Sequence, residues 1–258
     1  MNIERVVAKK KFGQNFLKDQ SVLAKIIEAM PKNDHKVVEI GPGLGDLTKF
    51  LVDVRSVEAF EVDTDLCKLL SSIFKKEIAT KQLHINCGDV LSAWQSELVS
   101  EPYDLVANLP YYIATNIILK ALADPMCKNI LVMVQLEVAE KFCADAGEKV
   151  FGSLGIITQS VGTAEIIVKV PPTAFDPQPK IDSAVFLIQK HADRDNKDFE
   201  DMLRVAFSQP RKTLRKNLSA KYDKELLASA FEELGLIQTI RPHQVCTKDY
   251  HQLYKNIK

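Results

Sequence analysis

The run DLVANLPYY, from Asp104 to Tyr112, carries an amide, a proline and an aromatic in an order suited to one kind of reaction. That reaction is attack by the exocyclic amine of a nucleobase, whose lone pair is delocalised into the ring and is therefore a poor nucleophile. If Asn108 Oδ1 and the backbone carbonyl of Leu109 accept its two N–H groups, the nitrogen is drawn toward tetrahedral geometry and its lone pair turns toward a methyl group. Pro110 stiffens the turn, and Tyr111 offers a flat face to the base. No general base is needed, because the methylated ammonium is acidic enough to lose its proton to water.

An amine needs an electrophile, and a second group of residues is suited to hold one. The segment VVEIGPGLGDLT, starting at Val37, is a strand running into a turn with Gly41, Gly43 and Gly45 and then into a helix. Glycines there let the backbone bend sharply and let a ligand approach the helix N-terminus. Glu61, 20 residues past Gly41 in AFEVD, can accept hydrogen bonds from both hydroxyls of a ribose. Asp89, in CGDVL, can accept from an adenine amino group. This spacing does not separate a nicotinamide dinucleotide from S-adenosylmethionine; the fourth strand, which ends in NLPYY, does.

Those residues must sit on the C-terminal edges of successive strands, and the sequence supplies such strands. Val37–Ile40, Val57–Val62, Leu83–Cys87, Tyr103–Ala107 and Ile130–Val134 are short, rich in branched or aromatic residues and bounded by Gly, Asp, Asn or Pro. Helical patterns near 45–53, 65–76, 115–123, 136–144 and 154–161 alternate with them, which predicts a parallel sheet wrapped by helices. Ala164–Val170 and Ser183–Gln189 are joined only by the Pro-rich PPTAFDPQPKID, too short on helix for a parallel crossover, so an antiparallel pair is expected at the sheet's end. From about 191 the strands stop. Amphipathic segments near 197–208, 210–221, 223–234 and 247–256 predict a small helical domain, giving a division into 1–190 and 191–258.

Lys plus Arg equals Asp plus Glu at 34 each, so the total charge points to no partner. Its distribution does. Residues 1–18 hold Arg5, Lys9, Lys10, Lys11 and Lys18 against Glu4 alone, and residues 204–221 hold six basic residues against no acid. In Pro210–Leu218, Leu214 and Leu218 lie four apart toward a core, while Arg211 with Arg215 and Lys212 with Lys216 form basic rows fitted to phosphates. The five cysteines are scattered without a CxxC pair, which predicts reduced thiols and no disulfide framework. His243, Cys246 and His251 lack a fourth partner at a usable spacing, so no metal site is expected. No window approaches the roughly 20 apolar residues of a membrane span, nor does the basic N-terminus hold a signal-peptide stretch. A cytoplasmic location and no membrane partner follow as expectations.

Taken together, KFGQNFL (Lys11–Leu17), VVEIGPGLGDLT, EVDTDL, GDVL, NLPYYIAT, PTAFDPQPKIDS (Pro172–Ser183) and RKTLRKNL (Arg211–Leu218) resemble the KsgA-type family of ribosomal RNA adenine dimethyltransferases over nearly the whole chain. The resemblance implies a class I, Rossmann-like methyltransferase fold: a seven-stranded, mostly parallel sheet with the last strand antiparallel, and a C-terminal helical, RNA-binding domain. It implies S-adenosylmethionine as cofactor, held by Gln14, Asn15, Leu17, Gly41, Gly43, Glu61, Asp89, Val90 and Asn108. Asn108, Leu109, Pro110 and Tyr111 would hold the target base, and Phe175 would stack on its other face; two flat walls offset the cost of flipping a base out of its stack. Lys9, Lys10, Lys11, Arg211, Lys212, Arg215 and Lys216 would contact RNA.

The implied substrate is small-subunit (16S) ribosomal RNA within an immature subunit, dimethylated on N6 of two adjacent adenosines in a hairpin loop near its 3′ end by a monomeric enzyme. Two departures fall on the RNA side: Leu136 and Ser153 stand where family members often carry a lysine and an arginine. Two rival readings are a macrolide-resistance type of enzyme, acting on large-subunit RNA, and a chiefly non-catalytic assembly or transcription factor on the same fold. NLPY with PKIDS argues against the first, and the intact set of Asn108, Pro110, Tyr111, Glu61 and Asp89 against the second.

Overall fold

The structure, a computed structural model, describes residues 14–192 and 197–258; Lys9, Lys10 and Lys11 lie outside them. The chain opens with β1 (Phe16–Leu17) and α1 (Gln20–Ala29), then alternates strictly: β2 (Lys36–Ile40), α2 (Thr48–Val54), β3 (Val57–Glu61), α3 (Thr64–Ile73) with α4 (Lys75–Ala79), β4 (Leu83–Cys87), α5 (Val90–Ala93), β5 (Tyr103–Asn108), α6 (Ala114–Ala123) and β6 (Cys127–Gln135). After α7 (Leu136–Cys143) and α8 (Ser153–Val161) come β7 (Gly162–Val170), β8 (Phe175–Asp176) and β9 (Ser183–Lys190). Four helices follow: α9 (Lys197–Ala206), α10 (Leu214–Leu218), α11 (Lys224–Glu233) and α12 (Thr247–Ile257).

Seven strands form one sheet in the order β4-β3-β2-β5-β6-β9-β7. Pairs β2·β3, β2·β5, β3·β4 and β5·β6 are parallel and β6·β9 is antiparallel, the class I methyltransferase arrangement. The inner strands are largely apolar because both of their faces are covered: Val37, Leu105, Val106, Ile130, Val132 and Ile188 are fully buried, whereas the edge strands β4 and β7 are mostly half-buried or exposed. The order reverses beside β2, and a parallel open sheet leaves its ligand crevice there, outside the C-terminal strand ends.

The chain folds into two compact units. One is Met1–Ala139 with Ala164–Asp193; the other is Glu140–Thr163 with Arg194–Lys258. The segment Glu140–Thr163 thus keeps company with the later helices, a division that a single cut of the sequence near 190 does not express. In the second unit, Phe199, Met202, Leu203 and Ala206 form a buried stripe on α9 at helical spacing. Asn217 donates to the carbonyls of Ala206 (2.6 Å) and Gln209 (3.1 Å), tying α10 to the end of α9.

Three features differ from the sequence reading. The helix expected over 210–221 is only Leu214–Leu218, because Thr213 is its extended N-cap. Leu214 and Leu218 are buried as expected, but Arg211 and Lys212 precede the helix, so the four basic residues form no continuous row. The expectation of thiols throughout is also overturned: Cys67 and Cys87 are joined in a disulfide, their Cα atoms 6.1 Å apart. Parallel pairing is the reason: Cys87 is in register with Glu61, and α3 returns along the same two strands. Finally, β1 and β8 form a two-residue antiparallel sheet, Phe16 opposite Asp176 and Leu17 opposite Phe175, which no hydrophobic period signals.

Candidate functional site

One cavity opens at the C-terminal edge of the sheet, and it gathers most of the residues singled out by their chemistry. Gln14, Asn15, Leu17, Gly41, Gly43, Glu61, Asp89, Val90, Asn108, Leu109, Pro110 and Tyr111 all line it. Its floor is the glycine turn after β2. Gly43 has φ +61°, and a Cβ there would lie 3.1 Å from the Phe16 ring, so a side chain would strain the backbone and crowd that ring. Gly41, at φ +72°, faces Pro110 and brings the two loops together.

Glu61 ends β3 and is only 4% exposed. Its carboxylate accepts from the backbone N–H of Gly43 (3.2 Å) and of Asp63 (2.9 Å), one to each oxygen. Burial raises its pKa, and the two amide donors counteract that. Each oxygen keeps further acceptor capacity, so a ribose diol can be met by an acceptor already oriented. Asp63 caps α3 through the Asp65 N–H (3.1 Å) and takes a bond from Gln14 Nε2 (3.3 Å), which seats the segment before β1 on the cavity.

Asp89 is exposed on the rim. It caps α5, accepting from Leu91 N–H (2.9 Å) and Ser92 Oγ (3.0 Å). Val90, next to it, is buried and supplies an apolar wall.

Across the cavity, Asn108 ends β5. Its Nδ2 donates to the Asn15 carbonyl (3.1 Å), which fixes the amide orientation and turns Oδ1 away from Asn15. Leu109 is buried and its N–H is held by the Met133 carbonyl (3.1 Å), while Pro110 O accepts from Ile113 N–H (3.1 Å) to close the turn. Tyr111 is half-buried with its hydroxyl 2.6 Å from Ser183 Oγ; burial raises its pKa, so the phenol stays protonated. Tyr112 is 60% exposed.

Phe175 lies elsewhere. It is 3% exposed within the hydrophobic core beside Leu17 and Ala174 and does not line the cavity. It is paired with Leu17 where β8 meets β1. Arg211, Lys212 and Lys216 are exposed in the second unit; Arg215 is partly buried and donates to Gln238 Oε1. Leu136 opens α7 with its N–H on the Asp182 carbonyl (3.0 Å), and Ser153 opens α8.

The sequence reading missed Glu39, Phe16, Asp63 and Ser183. Glu39 lines the cavity at 2% exposure, accepts from Thr48 Oγ1 (2.7 Å), and is pushed by burial up to about 8. An acid inside the otherwise apolar strand VVEI was a usable signal. Ser183 closes the run PTAFDPQPKIDS, but its pairing with Tyr111 had no signal, since only the folded sheet brings the two together.

The cavity therefore combines an acceptor pair suited to a ribose, a glycine floor open to a polar ligand, and an amide and phenol on the opposite side. Comparisons with known proteins agree in kind. The family model described as ribosomal RNA adenine dimethylase matches residues 6–258. The chain is 79% identical over 253 residues to the ribosomal RNA small subunit methyltransferase A of Sulfurimonas denitrificans, covering 98% of this chain and 95% of that one. It is 49% identical to the protein of the same name from Aliarcobacter butzleri, covering 99% and 98%. Among solved structures, the 23S rRNA methyltransferase ErmE superposes with a TM-score of 0.74 at 27% identity, over 94% of this chain and 99% of that one. A dimethyladenosine transferase from Plasmodium falciparum shares the fold, with a TM-score of 0.77 at 24% identity over 92% and 95%.

Proposed function

Since the chain belongs to the ribosomal RNA adenine dimethylase family, an S-adenosylmethionine-dependent class of enzymes, we propose that it converts two adjacent adenosines in a hairpin loop near the 3′ end of small-subunit ribosomal RNA to N6,N6-dimethyladenosine. The observation that carries this reading is the fixed Asn108 amide, with Nδ2 spoken for and Oδ1 directed away from Asn15, on a cavity whose other side is the buried Glu61. Small-subunit rather than large-subunit RNA is favoured by the relatives at 79% and 49% identity.

The cofactor, when bound, supplies an electrophilic methyl group. Everything else is done by this chain. Glu61 accepts the ribose hydroxyls with Gly43 and Asp63 amides holding it still, Asp89 and Val90 receive the adenine, and Gln14, Asn15 and Leu17 close over the ligand. Asn108 Oδ1 and the Leu109 carbonyl accept the amine's hydrogens, so its lone pair faces the methyl group. Tyr111 supports the base by stacking, worth about 1 to 3 kcal/mol. After one transfer a single N–H remains for either acceptor, so the same groups can orient the second. Arg211, Lys212, Arg215 and Lys216, with Lys9, Lys10 and Lys11, bind phosphates, and the helical region from 191 to 258 docks the RNA within an immature subunit. The enzyme acts as a monomer in the cytoplasm and needs no metal. The losses of charge at Leu136 and Ser153 weaken the hold on phosphates there.

Incubation with S-adenosylmethionine, a chelator and immature small subunits, followed by nucleoside mass spectrometry, tests the reaction: dimethyladenosine is expected. A product that stops at the monomethyl nucleoside, or activity lost to the chelator, would overturn it. Replacing Arg211, Lys212, Arg215 and Lys216 by Gln should leave cofactor affinity intact and make the salt dependence of RNA binding shallower, by up to about 0.7 to 0.9 in logarithmic slope for each phosphate no longer neutralised.

A further inference from the structure

Asn108 and Tyr111 are neighbours in sequence, but different parts of the protein hold them. The Asn108 amide is anchored to Asn15, while the Tyr111 hydroxyl meets Ser183 Oγ at 2.6 Å. Ser183 is fully buried and is the first residue of β9, directly opposite Gln135 at the end of β6. Two residues earlier on β6, Met133 pairs with Asn108 itself and receives the Leu109 N–H. The antiparallel strand therefore brings a hydroxyl to the phenol from the same end of the sheet that presents the amide.

We propose that Ser183 is a positioning residue for methyl transfer, fixing the depth at which the Tyr111 ring sits in the cavity. Because the hydroxyl oxygen lies on the Cβ–Cγ axis, the bond does not stop the ring turning about that axis, but tying it to a strand start restrains the swing about Cα–Cβ that would move the whole ring in or out of the cavity. A base stacked on that ring enters to one depth, which decides whether its amine reaches the Asn108 and Leu109 acceptors together. Geometry held in this way acts on the rate of the chemical step more than on ligand affinity. The proposal rests on the reading of Tyr111 as the support for the base.

The test is a double-mutant cycle in single-turnover methyl transfer to small-subunit RNA, with S-adenosylmethionine affinity and thermal stability measured alongside. Ser183→Ala and Tyr111→Phe should each slow transfer by roughly five- to tenfold, the weight of one neutral hydrogen bond, with cofactor affinity unchanged. The double variant should be no slower than either single one, and Ser183→Thr, which keeps the hydroxyl, should recover most of the rate. Additive losses, or a normal rate in Ser183→Ala, would overturn the proposal while leaving Tyr111 in its place. A normal rate in Tyr111→Ala would instead sink the underlying assignment of Tyr111 to the base. If Ser183→Ala unfolds at the assay temperature, Tyr111→Phe decides alone, because it removes the same bond from the half-buried side; a normal rate there overturns the proposal.

Discussion

Buried carboxylates stand at both edges of the sheet, and their surroundings are opposite in kind. At the N-terminal strand ends, Asp104 accepts from Arg55 Nη1 (2.7 Å), Asn129 Nδ2 (2.7 Å) and the His35 ring (3.2 Å). Asp124 accepts from Trp94 Nε1, Tyr103 Oη and the N–H groups of Leu98 and Met126, all at 2.8 to 2.9 Å. At the C-terminal ends, Glu39 accepts from the Thr48 hydroxyl and Glu61 from two backbone amides, and burial raises the pKa of both. Carboxylates that are saturated hold strands in place. Those met by only one or two donors have capacity left for a ligand, Glu61 as an acceptor and Glu39, which burial keeps protonated, as a donor too.

The comparison breaks most readily at Asp104. Replacing it with Ala takes the carboxylate from the largely buried Arg55, leaving the cation only the neutral acceptors Asn33 Oδ1 and His35 O, and should destabilise the protein by about 3 kcal/mol in urea unfolding, while the folded fraction keeps its cofactor affinity. A stability within experimental error of wild type would mean that the saturated edge contributes nothing to the fold. Next in size, Asn108→Ala should lower single-turnover methyl transfer by about a hundredfold or more, the scale of one lost transition-state partner. Unfolding midpoints should hardly move, and a normal rate would remove Asn108 from the chemistry.

Glu61→Ala comes third. It should weaken S-adenosylmethionine binding by about 1.5 to 3 kcal/mol, the loss of charge-assisted acceptors, and unchanged calorimetric affinity would take Glu61 out of the site. The smallest effect sharpens the contrast through pH. With its pKa raised from 4.5 to about 8, Glu39 holds a proton in the folded state that the unfolded chain has released. The free protein should therefore lose stability as pH rises between those values, having its full share below the lower one. Melting temperatures of Glu39→Gln should fall less steeply across that window than wild type. Equal slopes would show that Glu39 is not the group responsible.

Much of this site was legible because its chemistry lies in short contiguous runs. Glycines with positive φ, an acid ending the second parallel strand, and Asn108 with Pro110 and Tyr111 each state their geometry locally. What escaped depends on register between distant strands. Cys67 and Cys87 look unrelated until β3 and β4 align. Ser183 reaches Tyr111 only because β9 runs back beside β6. The basic segment misled for a local reason: a Thr at 213 competes as N-cap and delays the helix, and hydrophobic spacing alone does not reveal where a helix begins. The pairing of Phe175 with Leu17 was hidden for a tertiary one, since the two lie far apart in the sequence.

That last pairing has a consequence for how the protein is made. The segment carrying Gln14, Asn15 and Phe16 is a wall of the cavity, and it is stitched to Phe175 and Asp176, with Lys18 and Asp19 N–H groups also donating to the Ala174 carbonyl. A chain emerging from the ribosome meets its first pocket residues early and their latch only after most of the sheet has been synthesised. Pairings so distant in sequence form late. A nascent chain ending before Ala174 lacks the partner that closes this wall, so ligand capture becomes a property of the nearly completed polypeptide and fragments released early are left without it.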